Sequence, residues 1–266
     1  MRLFDRVVEL TVGQTEITGL DIAFEIEKDE NPEPNPCHID IFNLSPENRA
    51  TLSKYKSVPV ILKAGYKGQV GIIFQGDMVR CNHIKEDASW KTTLACGDGA
   101  LAIQTKRTNK NYQKGTPVKT VVADLSRQLD LPAGNTLSQL NEMSTNLTRS
   151  LPVSGSPIVE VNRILAGQSM RLSIQNGALQ IRKKGRPLQK EAISLSADSG
   201  LTASPEIGAK GKMTVRTLLM PELSPGRKVH IDSAMFKGFV TVEQVRFMGS
   251  TFTDEWKSEI ECIALQ

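Results

Sequence analysis

Val60-Ile-Leu-Lys-Ala-Gly-Tyr-Lys-Gly68, Ile73-Phe-Gln-Gly-Asp-Met-Val-Arg-Cys81 and Trp90-Lys-Thr-Thr-Leu-Ala-Cys96 follow one another in the first part of the chain. A matching run lies near the C-terminus: Val229-His-Ile-Asp-Ser-Ala-Met-Phe-Lys-Gly238, Val240-Thr-Val-Glu-Gln-Val-Arg-Phe247 and Trp256-Lys-Ser-Glu-Ile-Glu-Cys262. Each run ends in Trp-Lys-x-x-[Leu/Ile]-x-Cys. Alternate side chains of an extended strand share a face. Trp90, Thr92, Leu94 and Cys96 therefore line one side of a strand, as do Trp256, Ser258, Ile260 and Cys262. The echo predicts two copies of one antiparallel β-barrel.

The surrounding sequence fits. Val8, Leu10 and Val12 alternate with polar neighbours, as do Ile22, Phe24 and Ile26, then Cys37, Ile39 and Ile41, then Val58, Val60 and Leu62, then Val70, Ile72 and Phe74. Short alternating runs separated by Gly13, Gly19, the Pro-rich 31–36 segment and Gly65-Tyr-Lys-Gly68 read as half-buried antiparallel strands. Ser45 followed by Pro46 predicts a short helix over 45–52, with Ser45 as N-cap. Near the other end, Val240 and Val242 share one phase and Val245 and Phe247 the opposite one. A bulge at Glu243-Gln244 would absorb the slip.

Between the two runs the pattern changes. Val118, Val121, Val122, Leu125 and Leu129 recur at helical spacing, and a second helix is expected from Ser156-Pro157 to Gly167. Asn176-Gly177 between Arg171–Gln175 and Ala178–Arg182 is a strong hairpin signal. The Ser-, Asn- and Thr-rich stretch 132–156 reads as a long loop. The fold class expected is mainly β with an α+β insertion: a first β-barrel at 1–105, an α+β middle domain at 106–195 and a second β-barrel at 196–266.

Composition limits the function classes. The chain has 266 residues, 39% of them hydrophobic and 23% charged, an ordinary globular balance. No run approaches the ~20 apolar residues of a membrane span, and the opening Met1–Leu10 carries Asp5, Arg6 and Glu9 where a secretory signal would be apolar. A cytosolic site of synthesis is expected, with no membrane partner. Net charge is +4, but residues 101–190 hold 14 Lys/Arg against 4 Asp/Glu, while the rest holds 19 Lys/Arg against 25 Asp/Glu, net −6. Cys37, Cys81, Cys96 and Cys262 form no C-x-x-C pair. With His38, His83 and His230 they show no zinc spacing, so no metal and no cofactor are expected.

Candidate chemistry is sparse. His38-Ile-Asp40 and His230-Ile-Asp232 each set an imidazole and a carboxylate on one strand face, and Asp77 follows Gly76. No nucleophile elbow, H-E-x-x-H or phosphate loop accompanies them, so the histidine pairs read as polar strand faces and Gly76-Asp77 as a bulge or turn. The basic runs Lys106-Arg107, Lys110, Lys114 and Arg182-Lys-Lys-Gly-Arg186 hold one aromatic neighbour, Tyr112, which gives no stacking platform for single strands. They read as solvated faces.

The chain resembles the baseplate hub proteins of contractile-tailed bacteriophages. The residues that carry this are Phe24–Lys28 with Asn35–Ser45, Lys63–Gly68 with Ile73–Asp77, Leu218–Val229 and Met248–Trp256. Such hubs are similar to the first part of type VI secretion spike proteins. The resemblance implies a trimeric ring of pseudo-sixfold symmetry between a sixfold tail tube and a trimeric spike. The implied partners are further copies of itself, the tube, the spike and other baseplate proteins, with DNA passing through the lumen. The site would be the virion baseplate, assembled in the host cytoplasm. It implies no catalytic residue; Asn43, Leu44, Gly65, Tyr66, Gly76, Asp77, Trp90, Pro225, Gly226 and Trp256 would be structural. Because Gln266 falls where a second barrel should end, a separate spike would be recruited. The alternatives are the hub of a tailocin or secretion-type contractile particle, or a tail-associated cell-wall hydrolase.

Overall fold

The alternating runs become strands in the computed structural model, which describes residues 5–208 and 211–265. The first four residues of the opening stretch lie outside the described residues. In chain order the strands of the first part are β1 (Arg6–Val12), β2 (Thr15–Ile17), β3 (Ile22–Lys28), β4 (Pro36–Phe42), β5 (Pro59–Tyr66), β6 (Gln69–Glu86) and β7 (Ser89–Gly97). Helix α1 (Pro46–Lys54) links β4 to β5; the Ser45 hydroxyl accepts from the Asn48 N–H at 3.2 Å, capping it as expected.

The middle of the chain holds α2 (Ala100–Thr105), β8 (Thr108–Tyr112), α3 (Val118–Arg127), α4 (Thr136–Asn141), β9 (Leu151–Gly155), α5 (Pro157–Ala166), β10 (Met170–Gln175) and β11 (Ala178–Lys183). The stretch read as one loop thus contains α4 and β9. Asn176 and Gly177 take φ of 52° and 74°, the left-handed pair that a tight hairpin requires. α5 ends at Ala166 with Gly167 as its C-cap, the stop the sequence suggested, although Gly167 keeps a helical φ of −65° and the left-handed residue, Ser169 at φ 54°, comes two positions later.

The last part supplies β12 (Ala192–Leu195), β13 (Glu206–Ile207), β14 (Lys212–Leu218), β15 (Lys228–Asp232), β16 (Lys237–Ser250) and β17 (Trp256–Ala264). With β1–β7 these form one thirteen-stranded, mostly antiparallel sheet. Among the described residues the one parallel pair in it is β12 with β15.

The echo is real at the level of strand order. The first block runs β4-β7-β6-β5 and the second β14-β17-β16-β15, so the Trp90 and Trp256 strands hold the same rank. Cys37 faces Cys96 in one block, and Met213 faces Cys262 in the other. β6 is bulged between Met78 and Arg80, where it crosses Cys96 and Ala95. β16 is bulged between Val242 and Gln244, where it crosses Cys262 and Glu261. The expected bulge at Glu243 is present, and its twin falls at the matching position.

Two closed, separate barrels are not what the strands form. Among the described residues no pairing closes either block on itself. Instead β3 lies between β4 and the distal half of β16, Val245–Ser250, and fuses the blocks into one ladder. β16 is long enough to hold β15 along its first half and β3 along its second.

Two apolar cores result. One gathers the inward faces of both blocks, including Ile26, Ile39, Phe74, Leu94, Val215, Phe247 and Ile260, all 0% exposed. The other lies under α3, α4, α5 and the β10–β11 hairpin, around Val121, Leu125, Val161, Leu172 and Ile181. No helix among the described residues is long and apolar enough to cross a membrane.

Candidate functional site

The residues singled out in the sequence collect at joints. Asn43, at φ 56°, closes the end of β4 on β7: its N–H donates to the Trp90 carbonyl at 2.7 Å and its Oδ1 accepts from the Trp90 N–H at 3.2 Å. Leu44 behind it is buried. The Trp90 ring lies half-buried under the Arg49 guanidinium, 4.1 Å from its centroid. Trp256 has a different environment. It is 4% exposed and meets Phe24 of β3 at 5.6 Å and Tyr66 of β5 at 6.5 Å, both edge to face. Strand rank is therefore shared by the two tryptophans, while their contacts are not: Trp256 stands where β3 crosses from one block to the other.

Gly65-Tyr66 is not the turn that the sequence suggests. Both residues pair within β5, and the turn is Lys67-Gly68. Nor is Gly76-Asp77 a turn; these residues face Val60 and Pro59 within the long β6. Gly76 is needed for closeness, since a Cβ there would lie 2.7 Å from the Gly97 carbonyl oxygen. The Asp77 carboxylate accepts from the Leu101 N–H in the first turn of α2, at 2.9 Å. Pro225 and Gly226 belong to the loop between β14 and β15. The Pro225 carbonyl accepts from Gln180 at 3.3 Å, and the Gly226 carbonyl accepts from the Leu188 N–H at 3.0 Å.

Two buried polar clusters that the sequence did not point to fasten the middle of the chain to the sheet. In the first, the Asp98 carboxylate receives the N–H groups of Asn176 and Gly177 at 2.5 and 2.8 Å, gripping the hairpin turn. Lys28 on β3 donates to the Asn176 side chain. Burial lifts the Asp98 carboxyl to about 6 against the opposing pull of Lys28 and the two N–H donors, and burial lowers the Lys28 ammonium to about 8. In the second, Arg182 on β11, 3% exposed, holds Glu30 through two nitrogens and reaches Glu243 at 2.8 Å. The basic run at 182–186 is thus not one solvated face; its first member is a buried clamp. Elsewhere Lys110 binds Asp124 at 2.7 Å and Lys106 binds Asp130 at 3.1 Å.

No catalytic pair forms from the histidines. Asp40 is taken by Lys91 at 3.0 Å and Thr93 at 2.6 Å, and Asp232 by Lys237 at 3.1 Å. The His230 ring rests on Phe239. His83 joins Ser53 at 3.0 Å and Thr92 at 2.8 Å, binding α1 to the inner face of β6 and β7. Cys37, Cys96 and Cys262 are buried free thiols, and Cys81 is half-buried. Among the described residues no three His, Cys, Asp or Glu side chains cluster as a metal site.

The architecture is that of tail proteins. A 43 kDa tail protein of prophage MuSo2 from Shewanella oneidensis matches with a TM-score of 0.68 at 8% identity, over 97% of this chain and 96% of that one. A tail protein from Neisseria meningitidis MC58 matches at 0.66 and 12%, over 97% and 96%. An Escherichia coli component of the type VI secretion system matches at 0.60 and 12%, over 97% of this chain and 77% of that one. No curated protein sequence matches. At the sequence level the baseplate hub gp41 family matches residues 6–240, and the chain belongs to that family. It is a phage tail baseplate protein, of a family whose role is structural.

Proposed function

We propose that three copies of this protein form a ring at the distal end of the tail, adapting a sixfold tube to a trimeric spike. The observation that carries this is the shared strand order of the two blocks, with the bulge at the same place in each. Three chains of two blocks offer six near-equivalent faces on one side and three whole subunits on the other. Such a heterologous contact closes into a ring only if each block meets a near-equivalent neighbour. In this reading residues 1–105 and 196–266 are the two barrel-like units and 106–195 the insertion. The tube, the spike and other baseplate proteins are the partners, DNA crosses the lumen, and assembly takes place in the host cytoplasm. The likeness to a type VI secretion component supports the same ring in a tailocin or secretion-type particle as a second reading.

The test is co-expression with the tube and spike proteins, followed by native mass measurement of the complex. Three hub copies per complex are expected; one or six would refute the ring. Replacing His38, Asp77 or His230 by Ala should alter stability or assembly only. Hydrolysis of cell-wall fragments that vanishes in one of these variants would show an enzyme instead.

A further inference from the structure

The in-chain joint between the blocks describes its own counterpart. β3 flanks β4 on one side and pairs along its other edge with Val245–Ser250 of β16, so that Ile26 faces Phe247 and Glu25 faces Met248. β13 flanks β14 as β3 flanks β4. Ile207 faces Met213, which in turn faces Cys262, just as Ile26 faces Cys37, which faces Cys96. Ile207 therefore holds the place of Ile26, and Glu206 that of Glu25. On β6 the residues beyond the bulge hold the places of the distal half of β16. His83 faces Thr92 and Ile84 faces Lys91, as Phe247 faces Ser258 and Met248 faces Lys257.

The two members of this second joint do not meet within the chain. β5 leaves β6 at Asp77, and from Arg80 to Glu86 β6 pairs only with β7 among the described residues. Among the described residues β13 pairs only with β14. Their apolar side chains are open: Ile207 is 60% exposed where its counterpart Ile26 is fully buried, and Val79 and Ile84 on β6 are 50% and 46% exposed. An uncovered strand edge with apolar side chains is a template for a further strand.

We propose that the occupant of the bare distal half of β6 is β13 of a second copy of this chain, paired antiparallel with Glu206 opposite Ile84 and Ile207 opposite His83. The contact reproduces between chains the β3–β16 joint made within each chain. It is head-to-tail, so every copy offers one free edge of each kind. The inference rests on the ring reading for its closure at three, but its register comes from the internal repeat alone.

A disulfide trap tests it on the full-length chain. Directly opposed residues of an antiparallel pair have Cα atoms about 4.5–5.5 Å apart, within disulfide range. The variant Ile84→Cys/Glu206→Cys changes two exposed side chains, and its Cys81→Ser background alters only a half-buried thiol at the margin of the first core. Mild oxidation at the highest concentration the protein tolerates should convert monomer to covalent dimer and then to a covalent trimer that grows no further. Lys85→Cys/Glu206→Cys, with the two thiols on opposite faces, should stay largely uncrosslinked. Equal cross-linking of both variants overturns the register. A particle or solution trimer that does not cross-link overturns the joint and leaves the ring standing. Covalent chains that grow past three support the joint and overturn closure at three. Because oxidation captures transient encounters, a protein that neither associates nor cross-links also counts against the joint.

Discussion

Gly65 has a φ of +154°, and a Cβ built on it would lie 2.1 Å from the Gln69 carbonyl oxygen. Gly65→Ala should therefore cost at least about 2 kcal/mol, from backbone strain and the shift that the clash forces. Gly68, at φ +89° with nothing near its missing Cβ, should lose only about 1 kcal/mol on the same change. Thermal melts of the two variants check the contrast. The Asp98–Lys28 cluster makes a pH prediction. A carboxyl raised to about 6 favours the fold while protonated, so its contribution falls as pH rises from about 4 to 6. An ammonium lowered to about 8 opposes the fold while charged, and that opposition lifts as pH rises from 8 toward 10.5. The cluster should contribute least between pH 6 and 8, with each limb worth up to about 3 kcal/mol at about 1.4 kcal/mol per unit. Urea unfolding across pH checks this: Asp98→Asn should flatten the acid limb and Lys28→Met the alkaline one. Neither residue was legible beforehand. Asp98 lies in a Gly-Asp-Gly turn and Lys28 at the end of an alternating strand, and their partner, Asn176, is far along the chain.

Strands and helices with strong periodicity were readable, because burial on one face leaves period two or 3.6 in the sequence. The phase slip from Val242 to Val245 announced its bulge in the same way. α4 and β9 were not readable. Six- and five-residue elements rich in Ser, Asn, Thr and Pro take their shape from what they pack against. Arg182 was misread for a related reason. In the alternation of β11, Leu179 and Ile181 face the second core, so Arg182 points the other way, toward the sheet. Only the fold brings Glu30 and Glu243 there. Truncating one member of a buried ion cluster leaves charge without a partner. Arg182→Met should destabilise the protein by about 3–5 kcal/mol. Arg182→Met combined with Glu30→Leu should recover much of that loss, as read from urea unfolding midpoints. A single variant as stable as the parent would show that the clamp contributes nothing to holding the insertion on the sheet.

For the whole molecule, the internal echo foretold two blocks of like strand order but not their fusion. The sequence holds no sign that β3, while paired with β4, also pairs along its other edge with the distal half of β16, because both ladders of β3 show the same alternation. The proposed ring rests on the same fusion: among the described residues a chain that joins its own two blocks edge to edge leaves the distal half of β6 and the outer edge of β13 unpaired, so that three such chains would complete a ring of six blocks. Cryo-electron microscopy of the intact tail, with the hub density counted around the tail axis, tests this most directly. Three chains in one ring are expected, with the contact between chains superimposing on the β3–β16 contact within a chain. A ring of six chains, or a single chain on the axis, would contradict it.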